Sequence, residues 1–274
     1  SAEAAFITPD GVEMPLYDVR VSEWLDVGVE VHLREHSIQP GEQANQFILY
    51  DDNPVNFDAW DVDIYHLEKF KLIQPAHSTR IIETGPLRAA LEFEIEISPK
   101  SHMKQVVTLT ALSPQLAFDT QVDWYEEHKY LKVAFPFNLR AAAATYEIQF
   151  GYVQRPTHFN NSWDMARFEV CAQRWADYAE PDYGVALLND SKYGYDVVNG
   201  ELRMSILRSP VFAFHRPRQI EPGVTYHYTD QGEPMVCLGL VPHAGIWTEG
   251  DLVRRAESLN APPIVVLVED KAEV

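Results

Sequence analysis

The stretch ALEFEIEIS, residues 90–98, alternates Leu91, Phe93, Ile95 and Ile97 with Glu92, Glu94 and Glu96. A repeat of two is the period of a β-strand, whose successive side chains point to opposite faces; wound into a helix, the same sequence would scatter acid and apolar groups around every side. The segment is therefore an extended strand with one face in a core and the other in water. After the turn SPKSH (98–102) the pattern recurs in QVVTLTAL (105–112), LAFDTQVDW (116–124) and YLKVAFPF (130–137), with Ser113 and Pro114 separating the first two.

Further strands are expected in ATYEIQFGYV (144–153), RFEVCAQRW (167–175), YGVALLND (183–190) and ELRMSILRS (201–209). Pro156, the Glu180-Pro181-Asp182 turn and Asn199-Gly200 bound them, and an Asn-Gly pair suits a tight hairpin because both residues tolerate positive φ. Only GDLVRRAESLNAPP (250–263) departs from the period: Leu252, Ala256 and Leu259 lie at i, i+4 and i+7 and Pro262 follows, which predicts a short helix. Many antiparallel strands with one short helix near the C-terminus predict a mainly β fold, a large sandwich forming a single domain over 1–274. Residues 1–40 are the least regular part, and Phe212 to Glu233, rich in Pro, His and Arg, reads as a long loop.

Glutamates on the outward strand faces account for much of the acidity: the chain carries 41 acidic and 22 basic residues, a formal charge of −19. Such a field repels phosphate, so neither nucleic acid nor anionic lipid is expected as a partner. The longest apolar run, Ile264 to Val268, falls far short of a membrane-spanning helix. Cys171 and Cys237 fit no metal or disulfide spacing and read as free thiols of a reducing, cytoplasmic compartment. The sequons at Asn160 and Asn189 are short enough to arise by chance. The chain begins Ser-Ala, with no initiator methionine and no signal-peptide pattern, as a segment cut from a longer polypeptide does.

No GxSxG, phosphate loop, HExxH or His/Cys cluster is present, so neither a catalytic nucleophile nor a metal site is expected in this chain. Carboxylates are too numerous for a glycosidase-type pair to be picked out. Two stretches concentrate chemistry instead. In NQFILYDDNPVNFDAWDVDIYHLE (45–68), aromatic faces accompany Asp51, Asp52, Asp58, Asp61 and His66, a mixture that suits a sugar or, equally, an acidic turn over buried rings. In residues 155–194, cationic, aromatic and amide side chains crowd together.

These blocks carry a resemblance. NQFILYDDNPVNFDAWDVDIYHLE, ATYEIQFGYVQRPTHFNNSWDMARFEVCAQRWADY, YGVALLNDSKYGYDV, LRMSILRSP and VPHAGIWTEGDLVRRAESLNAPP follow one another as in the C-terminal half of α-mannosidases of glycoside hydrolase family 38, and the chain is most similar to the cytosolic and vacuolar type from about Arg34 to Pro263. The resemblance implies a retaining exo-α-mannosidase that removes terminal mannose from oligosaccharides. Its nucleophile, its acid/base aspartate and its zinc, held by two histidines and two aspartates, would all come from an N-terminal barrel absent from this chain. This half would be a mutarotase-like sandwich packed on the barrel and rimming the sugar pocket. Arg208 is the foremost candidate for substrate contact, with Trp60 and Asp61 behind it, and a salt bridge is the competing role for Arg208. Arg155, His158, Trp163 and Arg174 are candidates for the barrel interface or for loop support. A mutarotase-like sugar epimerase and a stand-alone carbohydrate-binding module remain the alternative functions.

Overall fold

The alternation becomes two antiparallel sheets laid face to face. The structure, a computed structural model, describes residues 5–7, 13–15, 38–39, 42–212, 221–262 and 264. Most of the irregular region expected over 1–40, positions 213–220 of the long loop and 265–268 of the apolar run lie outside the described residues. Near the start, β1 (Ala5–Ile7) and β2 (Glu13–Pro15) pair with each other. The sandwich strands follow in chain order as β3 (Gln46–Asp51), β4 (Phe70–Leu72), β5 (Ser78–Thr84), β6 (Arg88–Glu96), β7 (His102–Thr110), β8 (Ser113–Asp123), β9 (Lys129–Pro136), β10 (Ala143–Ile148), β11 (Gly151–Pro156), β12 (Val170–Cys171), β13 (Trp175–Ala179), β14 (Tyr183–Asn189), β15 (Gly194–Val198), β16 (Glu201–Arg208) and β17 (Met235–Ala244). The large sheet has nine strands in the order β11-β10-β13-β14-β17-β8-β7-β6-β5, and the small sheet six in the order β12-β15-β16-β9-β3-β4.

One continuous apolar cluster fills the space between the sheets. It takes Phe93, Ile95, Met103, Phe118, Val185 and Leu238 from the large sheet and Phe47, Leu131, Val133, Phe135, Leu202 and Met204 from the small one. Phe118 meets Phe135 edge-on across the gap with ring centroids 5.8 Å apart, the preferred geometry for aromatic pairs. On the outer face of the large sheet, α2 (Leu252–Asn260) buries Leu252 and Ala256 against Trp175, Ala186, Leu188 and Val241. The expected short helix is thus present near the C-terminus. Two single helical turns join it: Ile64–Glu68, a 3-10 turn, and α1 (Ser162–Met165), whose first amides are capped by the Asn161 side chain.

Three local expectations are corrected. ATYEIQFGYV is a hairpin rather than one strand: β10 and β11 pair from Ala143↔Pro156 to Ile148↔Gly151 around a turn in which Phe150 takes φ 60°. RFEVCAQRW is mostly turn, with Val170 and Cys171 in β12 and Trp175 opening β13, because Arg167 to Phe168 leave α1 and Ala172 to Arg174 cross from one sheet to the other. Glu92 keeps the outward face shared with Glu94 and Glu96 but is itself covered, with Arg80 at 2.7 Å and Lys104 at 2.6 Å closing over its carboxylate. The two cations hold it well below the ordinary glutamate pKa.

The Asn199-Gly200 hairpin joins β15 to β16 with φ values of 54° and 85°, as a two-residue primed turn requires. A Cβ on Gly200 would lie 2.5 Å from Gln39 Nε2 and 2.9 Å from the Phe137 carbonyl. Gly200→Ala should therefore cost about 1–3 kcal/mol in urea unfolding. Leu112→Ser, at an exposed hairpin tip, should stay within about 0.5 kcal/mol; equal effects at the two turns would contradict this account.

Candidate functional site

Strict alternation along β16 would send Arg208 into the core with Leu202, Met204 and Ile206. A β-bulge prevents this. Ser205 stands opposite Lys132, Leu207 opposite Leu131 and Arg208 opposite Tyr130, so Ile206 is the extra residue. Both Ile206 and Leu207 remain buried in the core, and every residue beyond the bulge changes face. Arg208 therefore emerges on the outer face of the small sheet, in the row of Tyr130 and Tyr50.

Two of the three guanidinium nitrogens are engaged there. Nε donates to Asp52 Oδ2 at 2.6 Å, and Nη2 donates to Asp52 Oδ1 at 3.3 Å, to the Asp58 carbonyl at 2.9 Å and to the Asp61 carbonyl. The loop after β3 is thus wound around one side chain. Asp58 ties the same loop to two others: its carboxylate accepts from Val211 N at 2.6 Å and faces His128 Nε2 at 3.0 Å, while the His128 ring stands edge-on to Tyr228. Burial pushes the Asp52 carboxyl up even though Arg208 opposes it. Burial acts on Asp58 as well, but the His128 ring and the Val211 amide outweigh it and hold the carboxyl below its ordinary value. Trp60 stands 70% exposed beside this knot, and the Asp61 side chain is exposed next to it. The structure thus brings Arg208, Trp60 and Asp61 together where loops 52–63, 124–128, 209–212 and 221–233 meet.

The same outer face carries a charge cluster that the sequence reading did not single out. Lys132, without exposed surface in the middle of β9, donates to Glu169 at 2.5 Å and to Asp196. Arg203 Nη2 reaches Asp196 Oδ1 at 2.6 Å, and Tyr130 shares a hydrogen bond with Ser205. His66, from the 3-10 turn, lies over this layer with Nδ1 donating to the Asp63 carbonyl at 2.8 Å and Nε2 3.7 Å from Glu169. Burial draws the His66 ring down to about 4 and pushes the Glu169 carboxyl up to about 7. The only sequence signal was the period itself, which sets Lys132 on the face opposite Leu131 and Val133. Among the described residues no group of three or more His, Cys, Asp or Glu side chains is arranged to hold a metal ion, so the zinc implied by the resemblance does not fit the donors of this face.

The other four candidates lie elsewhere and apart. Arg155 lines a cleft of about 330 Å³ with Arg167, Glu169 and Cys171, between the edge strands β11 and β12. His158 faces Asp164 at 3.4 Å, beside the exposed Trp163 of α1. Arg174 is bound by Glu147 through Nε and Nη2, the shorter contact being 2.7 Å, at the edge of the large sheet. The sequon residue Asn189 is buried and holds the Gln173 carbonyl and the Tyr195 hydroxyl.

Comparison with known proteins agrees with the sequence blocks. A family model described as "Glycosyl hydrolases family 38 C-terminal domain" matches residues 19–216. "Alpha-mannosidase 2C1" of Homo sapiens is 44% identical over 227 residues, which cover 82% of this chain and 21% of that protein. "Alpha-mannosidase G" of Dictyostelium discoideum is 39% identical over 231 residues, 83% of this chain and 20% of that one. The chain therefore spans about a fifth of the length of these curated relatives. The solved structure of an alpha-mannosidase from Enterococcus faecalis V583 superposes with a TM-score of 0.64 at 15% identity, covering 80% of this chain and 28% of that one, a likeness of fold. No described helix is long and apolar enough to cross a membrane.

Breaking the Lys132 cluster should be costly, because removing one partner of a buried ion pair strands the other. Lys132→Ala should lose about 3–5 kcal/mol in denaturant unfolding. The two shifted groups act in opposite directions with pH. Glu169 binds its proton more tightly in the folded chain, so its contribution is complete below the ordinary glutamate pKa and is lost as pH rises through about 7. His66, drawn down, contributes above the ordinary histidine value and loses that contribution as pH falls through about 4. Glu169→Gln removes the first titration and keeps the shape of the protonated acid, so the variant's Tm relative to the parent should rise steadily between pH 5 and pH 8. A difference that stays flat across that range would mean that Glu169 does not titrate there.

Proposed function

The chain belongs to the glycosyl hydrolase family 38 C-terminal domain family, and from that premise we propose that residues 1–274 form one sandwich domain of a retaining exo-α-mannosidase. In this reading the nucleophile, the acid/base residue and the zinc belong to an N-terminal barrel of the same polypeptide. This domain braces the barrel, and its loop end rims the pocket that holds the terminal mannose of an oligosaccharide. The observation that carries the proposal is the identity of 44% over 82% of this chain with a protein named as an α-mannosidase. The cytoplasm is the proposed compartment, consistent with two free cysteines and with that relative.

Arg208 suits a double role on this rim. Its fork fixes the loop that carries Trp60 and Asp61, so the exposed ring and carboxylate are presented to a sugar in one arrangement, and a rigid presentation lowers the entropy lost on binding. The interface role falls to Arg155 and Arg167 in their cleft and to Trp163 on α1, with His158 and Arg174 as loop supports through Asp164 and Glu147.

In the full-length polypeptide, Trp60→Ala should lower kcat/KM by about tenfold, the loss expected for about 1.4 kcal/mol of transition-state contact, with Tm nearly unchanged because the ring is mostly exposed. Arg208→Ala should lower kcat/KM by roughly 10- to 150-fold, corresponding to about 1.5–3 kcal/mol for a charged hydrogen bond. It should also reduce Tm, since Asp52 is left buried without its partner. Unchanged kinetics in both folded variants would refute the rim. The 274-residue chain alone should not turn over aryl α-mannosides, and turnover by it would refute the division of labour between this domain and the barrel.

A further inference from the structure

At the edge of the large sheet, on its outer face, Tyr152, Trp175 and Trp247 come together. Trp247 sits in the tight turn between β17 and α2, where Ile246 N donates to Glu249 Oε2 at 3.0 Å and Glu249 N donates back to the Ile246 carbonyl at 2.9 Å. Its ring stacks on Trp175 with centroids 5.3 Å apart and planes 24° apart, and the Tyr152 ring leans on it at 5.1 Å. The three rings border a cleft of about 500 Å³ whose other walls include Glu147, Gln149, Gln173 and Arg174. That volume is of the size that small-molecule sites have.

The cleft's polar equipment is specific. Trp175 is 1% exposed, yet its Nε1 is buried with no hydrogen-bond partner among the described residues. A buried donor left unsatisfied costs free energy, but this one has no exposed surface and is not offered to the cleft. Arg174 is neutralised by Glu147 through a two-nitrogen grip, so the pair offers donors and acceptors side by side without net charge. Gln149 and Gln173 add amides that both donate and accept. Stacked rings beside alternating donors and acceptors match a molecule with apolar C–H faces and a rim of hydroxyls. The neutral Arg174–Glu147 pair and the formal charge of −19 disfavour an anion.

We infer that the cleft bounded by Tyr152, Trp175 and Trp247 binds a neutral pyranose, with one sugar face against the rings and its hydroxyls on Glu147, Arg174, Gln149 and Gln173. The rings already support one another, so little ordering is needed on binding. The inference is independent of the proposed function and uses residues at the opposite sheet from Arg208.

Titration of the 274-residue chain with methyl α-D-mannopyranoside and methyl α-D-glucopyranoside, followed by tryptophan emission and calorimetry, tests it. At least one should bind saturably with Kd near or below about 1 mM, a free energy of about −4.1 kcal/mol. Tyr152→Ala, at a half-exposed edge position, should weaken binding about tenfold or more with unchanged circular dichroism and Tm. Tyr152→Phe should retain binding, and Gln173→Ala should weaken it several-fold. Three outcomes would overturn the inference: no saturable signal with either glycoside, tighter binding of the anionic methyl α-D-glucuronide, or a loss that follows Trp60→Ala and spares Tyr152→Ala. The last would put the sugar at the Arg208 end, whereas turnover by the full-length Trp60→Ala enzyme judges the rim separately.

Discussion

The central strands of both sheets give one of their two faces to the apolar layer between them, and the rest of the molecule is arranged around that requirement. The layer draws on both sheets in a single cluster. Burial on this scale supplies the main favourable free energy of folding, at about 25 cal/mol per Å² of apolar surface removed from water. Because the inward face is fully committed, chemistry is confined to the outward faces and to the loops at the sandwich ends. The large sheet uses its outward face to seat α2 and the Trp175–Trp247 stack. The small sheet uses its own for ions.

That second face is unusual in being covered rather than wet. The 62–68 segment, through Val62, His66 and Leu67, lies over Tyr50 and Tyr130, with Phe168 against the His66 ring, which takes Lys132 and Asp196 out of water. Charges in such a place are tolerated only when each has partners, since desolvation otherwise exceeds the attraction. Lys132 between Glu169 and Asp196, with Arg203 on the far side of Asp196, meets that condition. Glu169 also lines the cleft that holds Arg155 and Arg167. It thereby links the inner charge layer to an open surface, while burial, opposed by Lys132, raises its pKa.

At the loop end, a single arginine ties down a loop that the sheet ladders do not reach. Arg208 binds one carboxylate and two carbonyls of the 52–61 loop, and Asp58 carries the connection on to the His128 and Val211 loops. Loops at a sandwich end have no ladder to fix them, so their geometry depends on such side-chain ties. The salt bridge weighed for Arg208 from sequence and the pocket role proposed for it are therefore compatible: the first presents Trp60 and Asp61 in the arrangement that the second would use.

The period-two pattern was legible along the chain because alternation is a local property, and it marked the core residues of β6 to β9; the Asn199-Gly200 pair marked its hairpin and the i, i+4, i+7 spacing marked α2. The ordered blocks carried the family likeness. What the chain could not disclose locally was phase and company. Strict alternation in ELRMSILRS points Arg208 inward, and only the register of β16 against β9 inserts Ile206 and turns it out. Glu92 read as a solvated acid until strand pairing brought Arg80 and Lys104 over it. Lys132, Glu169 and Asp196 are far apart in sequence, and Tyr152, Trp175 and Trp247 likewise. Which face a residue takes follows from its own segment up to the first bulge; which groups it meets is decided by strand order, a property of the folded sheet as a whole.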